Sequence, residues 1–249
     1  MPTLDPLQVA RFEEARQALT ISELARESEP VAGGRMSFEA PGSWASRGVN
    51  LGIGHNVELS EVDRIIDFYT SRGCEPTVEL CSFVDESLLD ALQERAFTLH
   101  RFGTLLARPL DPAEDPRALL PSALPQGPPA TIRIRQADPE NEADVDAAVR
   151  LSVEGFVPPE TTPPDDFIQL MRRAVQHPRS TILFGERDDG DIIAMAGLEE
   201  AEHTVALFGA VVTSGWRRRG MQTWLLAERL HRAASMGKQY ATIESRPGM

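Results

Sequence analysis

Six of the 19 prolines fall in one stretch, DPAEDPRALLPSALPQGPPA, from Asp111 to Ala130. Each proline ring fixes φ and removes a backbone donor, so a run this dense opposes helix and sheet alike. It predicts an extended, stiff connector over 111–130, which leaves one unit at 1–110 and another at 131–249, each about the size of a small domain. The chain is 41% hydrophobic and 25% charged, as a globular protein should be. Its net charge of −13 would repel phosphate backbones, which argues against a nucleic-acid partner. The longest apolar run, Val205 to Val212, has eight residues including Gly209. A membrane helix needs about 20, so no membrane partner is expected. The start, MPTLDPLQVARFEEARQ, has no apolar core of signal-peptide length. Two cysteines, Cys74 and Cys81, suit a reducing cytoplasm. Their spacing, with no histidine or second pair nearby, predicts buried thiols rather than a metal site.

In the first unit, Leu7 to Arg26 predicts an amphipathic helix with Phe12, Ala15, Leu19 and Ile21 to Leu24 on its apolar face. Short strands are expected at Arg35–Glu39 and Val49–Ile53. A helix capped by Ser60 should run to Arg72 and stop at Gly73. Thr77–Phe83 predicts a strand, Asp85–Arg95 a helix and Thr98–Ala107 a last strand. The second unit should open with a strand at Thr131–Arg135. Helices are expected at Glu142–Glu154 and Phe167–Gln176, either side of the proline-rich FVPPETTPPDD. Ser180–Arg187 and Asp191–Leu198 predict a hairpin through Asp188-Asp189-Gly190. Thr204–Val212 is apolar enough for a strand buried on both faces. A helix at Gln222–Met236 and a short strand at Gln239–Glu244 complete an α+β pattern.

The chemistry is concentrated in ALFGAVVTSGWRRRGMQTWLLAERLHRAASMG, Ala206 to Gly237. An apolar strand enters a basic, glycine-containing turn, and a helix begins at once. The first N–H groups of a helix lack backbone partners, and the helix dipole puts partial positive charge there. Successive amides in such a turn form a nest for anionic oxygens. Gly220 lets the backbone approach without a Cβ, and the arginines add forked donors. Three arginines are disfavoured at a helix start unless an anion joins them. A ligand bearing phosphate or pyrophosphate is therefore expected. Trp216 and Trp224 are expected to pack rather than to serve as ligand platforms.

This stretch resembles the GCN5-related N-acetyltransferase (GNAT) family, whose acetyl-CoA signature is [RQ]-x-x-G-x-[GA]. Arg217, Gly220 and Gln222 stand at its fixed positions, with Gln222 departing from the small residue usual at the third. Val212, Trp216 and Arg217 to Gly220 match the flanking V-x-x-x-[YW]-R-R-R-G, and the element order is also that of the family. The resemblance implies a mixed, mostly antiparallel sheet flanked by helices, with acetyl-CoA as co-substrate. Ala210, Val211 and Val212 would pair with the pantetheine arm like an added strand. Arg217, Arg218, Arg219, Gly220, Met221 and Gln222 would hold the pyrophosphate, with Thr223 adding a hydroxyl. A backbone N–H near Val211 or Val212 would polarise the thioester carbonyl. The acceptor would be a small-molecule or peptide amine.

The first unit resembles the family faintly, through SEVDRIIDFYTSRG, TVELCSF and ERAFTLHRF. Where its binding turn should lie stands Gly52-Ile53-Gly54-His55-Asn56-Val57-Glu58, without arginine. Two readings stand: a degenerate GNAT-like half in tandem with the second, or an unrelated α/β partner. The catalytic base would be a carboxylate, with Glu244 and Glu199 as candidates beside Glu200 and Glu202. His203 reads as a strand-edge residue. The loop Phe156 to Pro164 lies where relatives shape the acceptor site, and Glu154 and Glu160 could attract a cationic amine. Relatives often protonate the leaving thiolate with a tyrosine beyond the last strand seen here. The tyrosines of this chain are Tyr69 and Tyr240, and neither stands there. A complete domain of that family would continue past Glu244. Either the sequence is a fragment, or the first unit's last helix and strand complete the sheet; otherwise Gln239–Glu244 would be an exposed edge. An N-acetyltransferase and a catalytically silent acyl-CoA-binding or scaffold protein both fit these features.

Overall fold

The computed structural model describes residues 4–120, 128–129 and 131–245. Helix α1 spans Pro6–Leu24 and is followed by β1 (Glu27–Val31), β2 (Gly34–Phe38) and β3 (Arg47–Val49). Then come α2 (Leu59–Thr70), α3 (Glu86–Glu94) and β4 (Thr104–Pro109). After a 3-10 turn at Pro116–Leu119 the order is β5 (Ile132–Gln136), α4 (Glu142–Phe156), α5 (Asp165–Gln176), β6 (Ser180–Arg187), β7 (Ile192–Glu200), β8 (Thr204–Val212), α6 (Met221–Ser235) and β9 (Tyr240–Ser245). The described residues divide into two compact units: Asp5–Phe102, and those from Gly103 onward together with Leu4.

In the amino-terminal unit β1, β2 and β3 form an antiparallel sheet. Met36, Leu51, Ile65, Tyr69 and Leu88 are fully buried against it. The Tyr69 hydroxyl donates to the Ser37 carbonyl at 3.1 Å and accepts from the Ser37 N–H at 3.2 Å. Three expectations are corrected here. Leu19 of α1 is exposed, and the buried face carries Glu13, Glu14 and Gln17 among Ala10, Ala18 and Ile21. That rotation brings Glu14 to the Asn50 N–H at 3.0 Å, a partner that hydrophobic spacing cannot show. Thr77–Phe83 forms no strand, only a single bridge from Val78 to Gly48. Helix α2 is capped by Glu58 and Glu61 rather than by Ser60. Of the two thiols, Cys74 is buried and Cys81 half-buried.

The second unit is built on a six-stranded sheet in the order β4-β9-β8-β7-β6-β5. Neighbours are antiparallel except β8 and β9, which run parallel. Strands β6 to β8 are apolar on successive residues because both faces are covered. Ile182, Phe184, Met195 and Val211 meet α4 and α5. Leu183, Ile193, Ala194 and Ala196 meet the first half of α6, and Leu198, Val205 and Leu207 its second half. Arg135 on β5 binds both oxygens of Asp144 on α4, at 2.6 and 2.7 Å, and also pairs with Glu186 on β6. Its guanidinium holds both carboxyls below the usual carboxylate range.

The division at 110 is corrected by β4. This strand pairs along its whole length with β9, from Thr104↔Ser245 to Pro109↔Tyr240, so the sheet of the second unit begins before the prolines. Strand β4, though not the helix before it, lies beside β9 in this sheet, so β9 has a neighbour on each side. The connector is also not free-standing. Leu110 and Pro116 are buried, and Leu120 packs on the cluster around Trp224 and Leu225. Asp115 lies 3.4 Å from His231 of α6, and Arg117 lies 3.8 Å from Glu228. The rest of the connector, 121–127 and 130, lies outside the described residues.

Candidate functional site

Strands β8 and β9 form a fork. Their pairing runs from Thr204↔Tyr240 to Leu207↔Ile243 and ends there. Past that point β8 loses register with β7 as well, between the pairs Gly197↔Phe208 and Met195↔Val211. Between them one residue of β7, Ala196, lies opposite two of β8, Gly209 and Ala210, which is a β-bulge. Gly209 sits in it with φ +59, a left-handed conformation that costs other residues about 1–2 kcal/mol. Across the bulge, a Cβ at Gly197 would come within 2.5 Å of the Phe208 ring, so glycine makes room for the ring.

Beyond β8 the chain makes a 3-10 turn at Ser214–Trp216. Arg218 takes φ +62 and Gly220 φ +85 before α6 begins. Gly220 is the N-cap and brings no side chain to the first turn, so side chains leave the N-terminal amides of α6 open. All three arginines are exposed. The Arg217 Nε donates to the Val212 carbonyl at 3.1 Å, which ties the turn to the strand end. Arg219 stacks over the Trp216 ring at 4.8 Å, with Arg187 on it at 5.6 Å.

A cleft of about 380 Å³ opens between these parts. One wall is Ala210, Val211 and Val212 of β8. Its basic end is formed by Arg217, Arg218, Gly220, Met221, Gln222 and Thr223. The third wall is Gly155 and Phe156, the last turn of α4. Gly155 is required there, because a Cβ would overlap the methyls of Val211. Of the expected ligand-binding residues, Arg219 alone does not line the cleft; it reaches it through Trp216, which is itself a lining residue. Trp224 is buried at 3% exposure and packs, as expected.

The two candidate bases are placed differently. Glu199 is buried on β7, with Arg179 at 3.6 Å. Its partner on β8 is Ala206, on the closed side of the fork. Glu244 is exposed and is the first residue of β9 past the last β8 pair. Ala241 and Ile243 face α6, so alternation turns Glu244 to the face carrying α4 and α5. Glu200 pairs with Lys238 at 2.9 Å, and Glu202 is 3.6 Å from His203. Sequence reasoning missed Gly155, whose place depends on where α4 lands. It also missed Arg229, a fully buried cation on the row Met221, Leu225, Arg229, Ala233 of α6. That row was readable once the helix phase was known.

Residues 145–247 match the family model of the acetyltransferase (GNAT) family. No curated protein matches the sequence. A GCN5-related N-acetyltransferase from Kribbella flavida is similar in structure, with a TM-score of 0.60 at 16% identity, over 94% of this chain and 85% of that one. A functionally unknown conserved protein from Staphylococcus epidermidis gives a TM-score of 0.48 at 10% identity, over 77% and 72% of the two chains. A GCN5-related N-acetyltransferase from Sphaerobacter thermophilus gives 0.47 at 18%, over 70% and 52%. The mixed sheet with its flanking helices is thus a GNAT-like fold. No described helix is long and apolar enough to cross a membrane.

Proposed function

We propose that the chain is an N-acetyltransferase that binds acetyl-CoA in the cleft at the β8–β9 fork and transfers its acetyl group to a primary amine. The observation that carries this reading is the convergence on one cleft of a strand end free on its β9 side, an open helix N-terminus and a basic turn. The residues fit the group. Amides of the α6 first turn, with Arg217 and Arg218, suit a pyrophosphate. The edge of β8 at Ala210 to Val212 suits an amide-bearing arm, which can hydrogen-bond like an added strand. Acetyl-CoA supplies the activated thioester carbonyl.

The chain's own residues then have three tasks. The bulged β8 backbone donates to the carbonyl oxygen as negative charge gathers there. Glu244, at the fork, takes the proton that the amine must lose as its C–N bond forms; the C–S bond breaks and its electron pair leaves with CoA as the thiolate. Phe156 and Trp216 keep water from the thioester. A cationic acceptor suits the net charge of −13.

The amino-terminal unit is proposed as a companion that does not bind the cofactor. Gly52 to Glu58 has no arginine. The N-terminus of α2 is already served by carboxylates: Glu61 accepts from the N–H groups of Glu58 and Ala32, both at 3.0 Å. Its descent from a GNAT-like half rests on the sequence resemblance. Calorimetry with acetyl-CoA, followed by measurement of free CoA release across a panel of amines, tests the function. Binding with release identifies a transferase. Binding without release on any amine identifies the silent acyl-CoA-binding protein, and no binding refutes both.

A further inference from the structure

Arg229 is fully buried in α6. A cation in such a place ordinarily faces a carboxylate. Here its contacts are carbonyl oxygens. Nε donates to Leu225 at 3.3 Å, and Nη1 donates to Gly197 at 3.0 Å and to Phe208 at 3.3 Å. Nη2 is buried without a hydrogen-bond partner among the described residues. Burial pushes the pKa down to about 10, which leaves the group charged at neutral pH.

Gly197↔Phe208 is the pair at which β7 and β8 lose register, so the guanidinium sits at the root of the bulge. The Phe208 carbonyl and the Gly209 N–H belong to one peptide group. A cation hydrogen-bonded to that carbonyl draws electron density from the N–H and makes it a stronger donor. Gly209 lies past the last β8–β9 pair, in the fork. The same helix that presents its first turn to the basic end of the cleft therefore also anchors the bulge, two turns further on.

We propose that Arg229 is a positioning residue for acyl transfer: it fixes the β8 bulge and polarises the Phe208–Gly209 peptide, whose N–H, rather than one near Val211 or Val212, donates to the thioester carbonyl oxygen. The catalytic half of this inference rests on the acyl-CoA reading above; the structural half does not. Arg229→Met removes the charge at similar length, and Arg229→Lys keeps the charge with fewer donors. In the full chain without ligand, Arg229→Met moves the Gly209 amide-proton resonance upfield and speeds its exchange. Its CoA affinity stays within about threefold of wild type, whereas its preference for acetyl-CoA over CoA falls. Its kcat falls roughly ten- to a hundredfold, less than loss of a whole oxyanion donor, at unchanged KM for the amine. Arg229→Lys restores part of kcat, and it carries the test if the methionine variant does not fold, since both readouts then shift partway in the same direction. An unmoved Gly209 resonance overturns the proposal. So does a folded variant with wild-type kcat, or a loss of CoA affinity in step with kcat that lysine does not relieve. If the wild-type chain binds neither CoA nor acetyl-CoA, the acyl-CoA reading falls, and the Gly209 resonance still decides whether Arg229 shapes the bulge.

Discussion

Gly220 opens α6 at φ +85 without a side chain of its own. A glutamate there would pay roughly 1–2 kcal/mol of left-handed strain and recover part of it by capping the helix. Its carboxylate would then stand at the place proposed for the pyrophosphate. Gly220→Glu should therefore keep the circular dichroism spectrum and lose acetyl-CoA binding by calorimetry; unchanged affinity would refute the site. Glu244→Gln should lower kcat about a hundredfold, as loss of a general base does, with acetyl-CoA affinity unchanged. In the other unit, burial first and the charge of Glu79 second push Glu14 from 4.5 up to about 7. The folded state then binds the proton more tightly than the unfolded chain. Stability of that unit should fall as pH rises from about 4.5 to about 7 and level off above. Glu14→Gln keeps an acceptor for the Asn50 N–H and should remove that slope. Urea unfolding at pH 5 and pH 8 reads it directly, and an equal slope in both proteins would sink the assignment.

Among the elements, α4 shows how packing makes the cleft. Its last turn lies so close to β8 that Gly155 meets Val211 with no room for a Cβ. Gly155→Val should push that turn and Phe156 off the strand. We expect a stability loss of about 1–3 kcal/mol, the usual cost of overpacking, together with weaker acetyl-CoA binding. Denaturant unfolding and calorimetry on one preparation check both. The start of α4 is held separately, through Asp144 and Arg135, so the change should stay local. Elements with a clean period were legible in the sequence: β6, β8 and α6 lie within a residue or two of their expected bounds. Strand β1, Glu-Ser-Glu-Pro-Val, was not. It lies at the edge of its sheet, where three polar residues and a proline are tolerated and no alternation is imposed.

Over the whole molecule, the decisive pairing joins residues far apart in the chain. Strand β4 binds β9 across more than a hundred residues of sequence. A fragment starting at Gly103 should fold and bind acetyl-CoA. One starting at Thr131, at the end of the proline run, should expose β9 as an open edge and associate or precipitate. Size-exclusion chromatography and thermal unfolding of the two fragments distinguish the cases, and equal behaviour would mean that β4 is dispensable. The strand–turn–helix at the basic end of the cleft was determined by the sequence alone, because strand alternation, a turn glycine and a helix N-terminus are local chemistry. Only the tertiary structure decided which sheet β4 joins, that Gly155 walls the cleft, that Glu244 rather than Glu199 stands at the fork, and that Arg229 meets the bulge. Each of these depends on which distant surfaces pack together, and that choice is made by the burial of the whole sheet rather than by any single segment.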